Sequence, residues 1–225
     1  MIHKKILRLF LFLFLFLFLF SIGFFMIFIN KLNKLNKSKK VFELFTQNDK
    51  IVLIGDSILN NSMYVPIGSS VGDNIKLKMG KTNVIVNAKD GATIETCYYQ
   101  LNNILDSENY YLFISIGGND ILNNQIKNME DVNKLFEKYK KLVEIIKNKY
   151  PKTKIYLLNL YFPANEKYLK YTDAIIAWNK NISSLSSKYN ILKIDDILKD
   201  DIDFTHEIEP STIGSQKIAN KILSI

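Results

Sequence analysis

The chain has 225 residues and a formal charge of +8, and the position of that charge decides what it means. Lys4, Lys5, Arg8, Lys31, Lys34, Lys37, Lys39 and Lys40 account for all eight charges, and the 22 basic and 22 acidic residues that remain cancel. A neutral domain behind a basic tail excludes the charge as an argument for nucleic-acid binding. Cys97 is the single cysteine and His3 and His206 the two histidines, so an intrachain disulfide is excluded and a structural zinc site lacks ligands of the usual kind.

Leu9 to Ile29 carries no charge and includes an unbroken Leu-Phe alternation from Leu9 to Phe20. A helix of that length spans roughly the 30 Å hydrocarbon layer, which predicts one N-terminal transmembrane anchor over residues 1–30. Cleavage near Gly23 would release a secreted form, but the apolar run continues through Phe24 to Ile29 beyond it. Lysines flank the segment on both sides, so the positive-inside rule leaves the sidedness open. Residues 31–48, rich in Lys and Asn, read as a solvated tether, and residues 49–225 as one domain.

Within that domain short apolar runs alternate with helical stripes. Strands are predicted at Ile51–Ile54, Asn83–Val86, Tyr110–Ile116, Lys154–Leu158 and Ile191–Ile194. Helical spacing links Ile94, Cys97, Tyr98, Leu101, Ile104 and Leu105. It links Val132 to Tyr150 with Asn128 as cap and Pro151 as stop, and then Tyr168 to Tyr189 around a core Trp178. A last helix begins near Ser211. Alternating βα units imply a parallel five-stranded sheet covered on both faces, a three-layer α/β/α or flavodoxin-like fold, with the common strand order 2-1-3-4-5. Cys97 falls on an apolar stripe and reads as a buried hydrophobe.

Polar residues with catalytic potential gather at the strand ends. Gly55-Asp56-Ser57 follows the first strand, Lys89-Asp90-Gly91 the second, Gly117-Gly118-Asn119-Asp120 the third and Asp203-Phe204-Thr205-His206 the fifth. With strand one between two and three, Gly91 and Asn119 flank Ser57, and the N–H groups of Ser57 and Gly91 and the Asn119 amide can converge on one oxyanion. A serine hydroxyl needs a base, and His206 is the only histidine after the anchor; Asp203 could orient its ring. Taken alone, a serine in a βα turn also fits a helix cap, and Asp203 with His206 also fits a turn cap and a surface imidazole. Asp56 and Asp120 read as turn-stabilising carboxylates, and Asn60, Asn61, Tyr64 and Val65 as residues that shape an acyl pocket.

Taken in order, these blocks resemble those of the SGNH or GDSL hydrolase superfamily over roughly Ile51 to Ile222, with Ile58 and the Lys89-Asp90-Gly91 block as departures. The resemblance implies a serine esterase or acylhydrolase working through an acyl-serine, without cofactor or metal. Ser57, His206 and Asp203 would form the triad, and Ser57, Gly91 and Asn119 the oxyanion hole. Its partners would be an ester-bearing small molecule, a lipid or an acylated glycan, with the membrane holding the anchor. An acyltransferase using the same site, and a binding protein that retains the fold without turnover, are the alternatives.

Overall fold

The computed structural model describes residues 49–102, 104, 110–126 and 128–225, with 23, 25, 26, 29 and 45 before them; of residues 124 and 125 only the backbone is described. The chain divides into two units, residues 1–46 and 47–225. The predicted anchor lies almost wholly outside the described residues, among which no helix is long and apolar enough to cross a membrane.

In the second unit β1 (Lys50–Gly55), β2 (Val84–Val86), β3 (Tyr110–Ser115), β4 (Lys154–Leu158) and β5 (Asn190–Leu192) form a parallel sheet in the order β2-β1-β3-β4-β5. All five predicted strands and their predicted order are present. β1 is an interior strand and buried from Ile51 to Gly55, which is why it reads as a continuous apolar run and not as an alternation. It pairs with β3 from Lys50↔Tyr110 to Gly55↔Ser115, but with β2 only as far as Leu53↔Val86. Beyond that point the loop after β2 folds over the end of β1, with the N–H groups of Asn87 and Ala88 donating to the Leu53 carbonyl and that of Lys89 to the Gly55 carbonyl. The Gln100 amide completes the strand end, accepting from the Gly55 N–H and donating to its carbonyl, both at 2.7 Å.

The helices are α1 (Val71–Met79), α2 (Ile94–Cys97), α3 (Gly118–Asp120, running into a π turn to Gln125), α4 (Met129–Lys149), α5 (Thr172–Ser184) and α6 (Thr212–Ile222). Asn128 caps α4 through Asp131 N–H, as its position implied. The predicted helix after β2 holds α geometry for one turn only and tightens to 3₁₀ over Tyr98–Leu101. Helix α1 carries no periodic signature, because only Val71, Gly72 and Ile75 are buried and Gly72-Asp73-Asn74 are weak helix formers. What holds it is packing: a Cβ on Gly72 would lie 2.7 Å from Val86 Cγ2. Its Ser70 cap and Asp73 form a reciprocal box.

Trp178 on α5 is fully buried and meets Phe136 and Tyr139 of α4 edge-on, as its place on the stripe predicted. Its ring also fixes the turn after β3. A Cβ on Gly117 would lie 2.4 Å from that ring, and Gly117 has φ +114°, so only glycine fits there. Cys97 is buried, and burial pushes its thiol up to about 12, so it behaves as the expected small hydrophobe.

Candidate active site

Ser57 stands directly beyond the end of β1, and the geometry there is set by Gly55. That glycine has φ +130°, and a Cβ on it would sit 1.7 Å from the Ser115 carbonyl oxygen. The close approach of β1 to β3 turns the chain sharply and leaves Ser57 almost buried, at 7 % exposure. Asp56 closes the turn by accepting from the Ile58 N–H at 3.1 Å. Burial raises the Asp56 pKa well above the carboxylate range, and the charges of Glu209 and Asp120 add to that against the Ile58 bond.

The end of β3 supplies a second polar pair. Asn119 Nδ2 donates to the Ala92 carbonyl at 2.9 Å, and Asp120 Oδ2 accepts from the Ile94 N–H at 3.1 Å. Burial raises the Asp120 pKa as well, against that N–H bond. Both carboxylates stabilise turns, as their positions implied, and the Asn119 bond ties the third block to the loop that carries Gly91. Gly91 has φ +70° and is exposed. Among the described residues the N–H groups of Ser57 and Gly91 have no hydrogen-bond partner.

The residues expected to complete a triad come from a short antiparallel hairpin, β6 (Phe204–Thr205) with β7 (Glu209–Pro210). Its three-residue corner holds His206 at φ 46° and Glu207 at φ 72°, left-handed positions that non-glycine residues seldom occupy. Thr205 Oγ1 lies 3.2 Å from His206 Nδ1, and the exposed imidazole rests against the Tyr64 ring with centroids 5.5 Å apart. Tyr64 in turn donates to Asp90 at 2.7 Å. Among the described residues no hydrogen bond joins His206 to Ser57 or to Asp203.

Asp203, expected to orient His206, meets other partners among the described residues. Asp203 is fully buried, and its Oδ2 accepts from the N–H groups of Lys199 and Asp200 at 3.0 and 3.1 Å. Lys217 of α6 reaches both carboxylate oxygens at 2.7 and 2.8 Å. Burial pushes this carboxyl up, but Lys217 and the two N–H groups prevail and hold it below the usual range. Its backbone is used too, since the Asp203 carbonyl accepts from the Ser211 N–H at 2.8 Å and leaves 2.2 Å for a Cβ on Gly214. Asp203 ties the hairpin to α6 through Lys217 and the Ser211 N–H.

A carboxylate near Ser57 is that of Glu209, whose pKa burial raises while the Ser57 side chain opposes the rise. Nothing in the residue pattern singled it out, because strands of two residues leave no periodicity and a second acid stands two positions earlier, at 207. The next residue offers a hint in retrospect: Pro210 before the Ser211 cap fixes the direction in which Glu209 leaves the hairpin.

Asn60 and Asn61 turn out to be structural. Asn61 is buried and donates to the Pro210 carbonyl at 2.8 Å and to Ser215 Oγ at 2.6 Å, while its Oδ1 accepts from the Val71 N–H. Asn60 donates to the Ala88 carbonyl at 2.7 Å. The cleft beside the nucleophile opens on the other side. It is lined by apolar surface, including Ile58, Gly118, Ile121, Leu160, Tyr161 and Ile208.

Residues 53–212 match the model of the GDSL-like lipase/acylhydrolase family. A search of curated proteins returned no match. Solved structures with the same fold include a member of the lipolytic protein G-D-S-L family from Veillonella parvula, 17% identical over 79% of this chain and 97% of that one, with a TM-score of 0.64. The lipase Lip_vut3 from a goat rumen metagenome is 20% identical over 76% and 94%, at 0.57. The acetyl xylan esterase AlAXEase is 14% identical over 78% and 98%, also at 0.57. With the family model covering most of the folded unit and the residue after Ser57 lining an apolar cleft, the chain belongs to the GDSL-like lipase/acylhydrolase family, as a serine acylhydrolase acting on esters.

Proposed function

We propose that the protein hydrolyses carboxylic or thio esters through an acyl-Ser57 intermediate, on substrates whose acyl group is apolar. The observation that carries this reading is the placement of Ser57 between two different surroundings: the apolar cleft on the side of Ile58 and Gly118, and the polar loops of Gly91 and Asn119 on the other. Ser57 Oγ attacks the carbonyl carbon, and the negative charge moves onto the carbonyl oxygen. The Ser57 and Gly91 N–H groups and the second hydrogen of Asn119 Nδ2 are the donors for that oxygen; one such donor is typically worth about a hundredfold to a thousandfold in rate. The attack needs a proton acceptor, and the hairpin carries two groups above the nucleophile loop, His206 and Glu209.

The long apolar run at residues 9–29 makes this a membrane-anchored enzyme in our reading, so that ester lipids or acylated envelope glycans lie within reach. The test is a chain-length series of aryl esters on the full chain, with Ser57→Ala as control. Each methylene placed in the cleft is worth ~0.8 kcal/mol, so kcat/KM should climb about fourfold per added CH₂ until the cleft is full. Ser57→Ala should lower kcat by about 10⁴-fold or more. A preference for acetyl over every longer chain would refute the apolar acyl site, and full activity in Ser57→Ala would refute the acyl-serine.

A further inference from the structure

We propose that Glu207 is a positioning residue of the reaction: it joins the wall of the acyl cleft to the corner that carries His206, so that a long acyl chain raises kcat as well as lowering KM. The inference deepens the acyl-serine reading above and rests on it, with the hairpin's imidazole as proton acceptor.

The wall comes from the segment after β4. Glu166–Tyr171 is a stretch of 3₁₀ helix started by Asn165, whose Oδ1 accepts from the Lys167 N–H at 3.0 Å. None of its residues is buried. Tyr168 and Tyr171 line the cleft together with Pro163, Ile175 and Ile208. A segment with no buried residue of its own takes its place from what lies beneath it, and beneath this one lies the cleft.

The same segment reaches the hairpin corner. Lys167 forms an ion pair with Glu207, and Tyr168 Oη donates to the same carboxylate oxygen at 3.4 Å. Lys167 also lies over the Tyr168 ring, 5.1 Å from its centroid, so ammonium, phenol and carboxylate make one cluster. Lys167 holds the Glu207 carboxyl below its ordinary value and Glu207 raises the ammonium in return, which keeps both charged near neutrality.

The corner depends on such ties. His206 at φ 46° and Glu207 at φ 72° are consecutive left-handed residues, a conformation that persists only where the surroundings impose it. The Tyr64 ring meets His206, Tyr161 donates to the Ile208 carbonyl at 2.6 Å, and the pair with Lys167 grips the residue between them. Tyr64 belongs to the nucleophile loop and Tyr161 is buried, whereas Lys167 and Tyr168 belong to the unburied cleft wall. An acyl chain under Tyr168 therefore steadies Glu207 and, one peptide unit away, the imidazole. Binding energy from a part of the substrate remote from the bond being broken is in this way used in the transition state, and a truncated substrate loses kcat.

The experiment measures kcat and KM separately on acetyl, butyryl and octanoyl esters of one aryl alcohol, in the full chain, for Glu207→Gln, Lys167→Met and the two together. Lys134→Met, which removes an exposed ion pair with Glu130 on α4, is the control and should match wild type on every ester. Wild-type kcat should rise from acetyl to octanoyl. Glu207→Gln and Lys167→Met should each lower kcat on the octanoyl ester by about threefold, the scale set by an exposed pair, with the acetyl kcat little changed. The double variant should be no worse than either single one. About 0.5 M NaCl should reproduce the loss in wild type and add nothing in Glu207→Gln. The proposal is overturned if wild-type kcat is flat across the series, if the variants lower kcat equally on all three esters, as stabilisation of the hairpin alone would do, or if the change falls in KM alone. Each of these outcomes spares the acyl-serine, which fails separately if Ser57→Ala still hydrolyses the esters.

Discussion

The site has a floor and a roof built by different physics. The floor, at the carboxyl ends of β1 and β3, is fixed by the sheet itself: six consecutive paired residues, a glycine pressed against the neighbouring strand, and buried side chains on both faces. The roof is a hairpin with two residues per strand, positioned by individual ties such as Asp203 with Lys217, Asn61 with the Pro210 carbonyl and Tyr161 with the Ile208 carbonyl. A floor of this kind tolerates no change in backbone path, whereas a roof of separate ties weakens by increments. It also follows that the nucleophile's place is more firmly determined than that of whatever accepts its proton.

The sharpest way to break the floor is Gly55→Ala. The added methyl would overlap the Ser115 carbonyl oxygen and the backbone conformation there is one that L side chains rarely adopt, so both β1 and β3 must shift. A loss of about 4 kcal/mol or more in denaturant unfolding is expected. A variant with wild-type stability would mean that the strand end relaxes, and the contrast between floor and roof would fall with it.

That same contrast decides what could be read from the residues. The five strands, their order and the Trp178 core were legible because each rests on an apolar pattern several residues long. Ser57, Gly91 and Asn119 were legible as strand-end residues for the same reason. The hairpin was not, since two-residue strands carry no period, and the partner of Asp203 lies 14 residues further on, on a helix whose orientation no local pattern specifies. Helix α1 escaped because its stability comes from Gly72 and Ile75 packing and not from its own spacing. Spacing made Asp203 and His206 look like a pair, but it could not show the Lys217 contact that Asp203 also makes.

Asp203→Asn weakens the roof at its strongest tie. Removing the charge leaves Lys217 without its buried partner, and because Lys217 is partly exposed the cost falls to the low end for such pairs, about 2 to 3 kcal/mol. The sign of the pH dependence follows from the lowered pKa in the folded state. The stabilisation is complete above the unfolded value of about 3.9 and is lost as pH falls through the lower folded value. Wild type and Asp203→Asn should therefore differ most in urea midpoint near neutrality and draw together below about pH 4. A constant difference across that range would mean that the carboxylate's charge contributes nothing and that the lost contacts are steric.

The gentlest perturbation is Tyr161→Phe, which removes one hydroxyl and keeps the ring in place against Phe204. Tyr161 donates to the Ile208 carbonyl at 2.6 Å, a tie that holds the hairpin corner between His206 and Glu209 from the β4 side. That carbonyl belongs to a residue that is half-buried, so water can replace part of the bond, and the expected loss is about 1 kcal/mol in stability. The effect on the reaction should be proportionately more informative, because Ile208 lies in the corner that carries His206 and a looser corner displaces the imidazole. A drop of several-fold in kcat with KM unchanged, measured on a short aryl ester that does not depend on the cleft, would place the tie in the positioning of the hairpin's proton acceptor. A rise in KM with kcat untouched would place it in the wall of the acyl cleft, which Tyr161 and Ile208 also line.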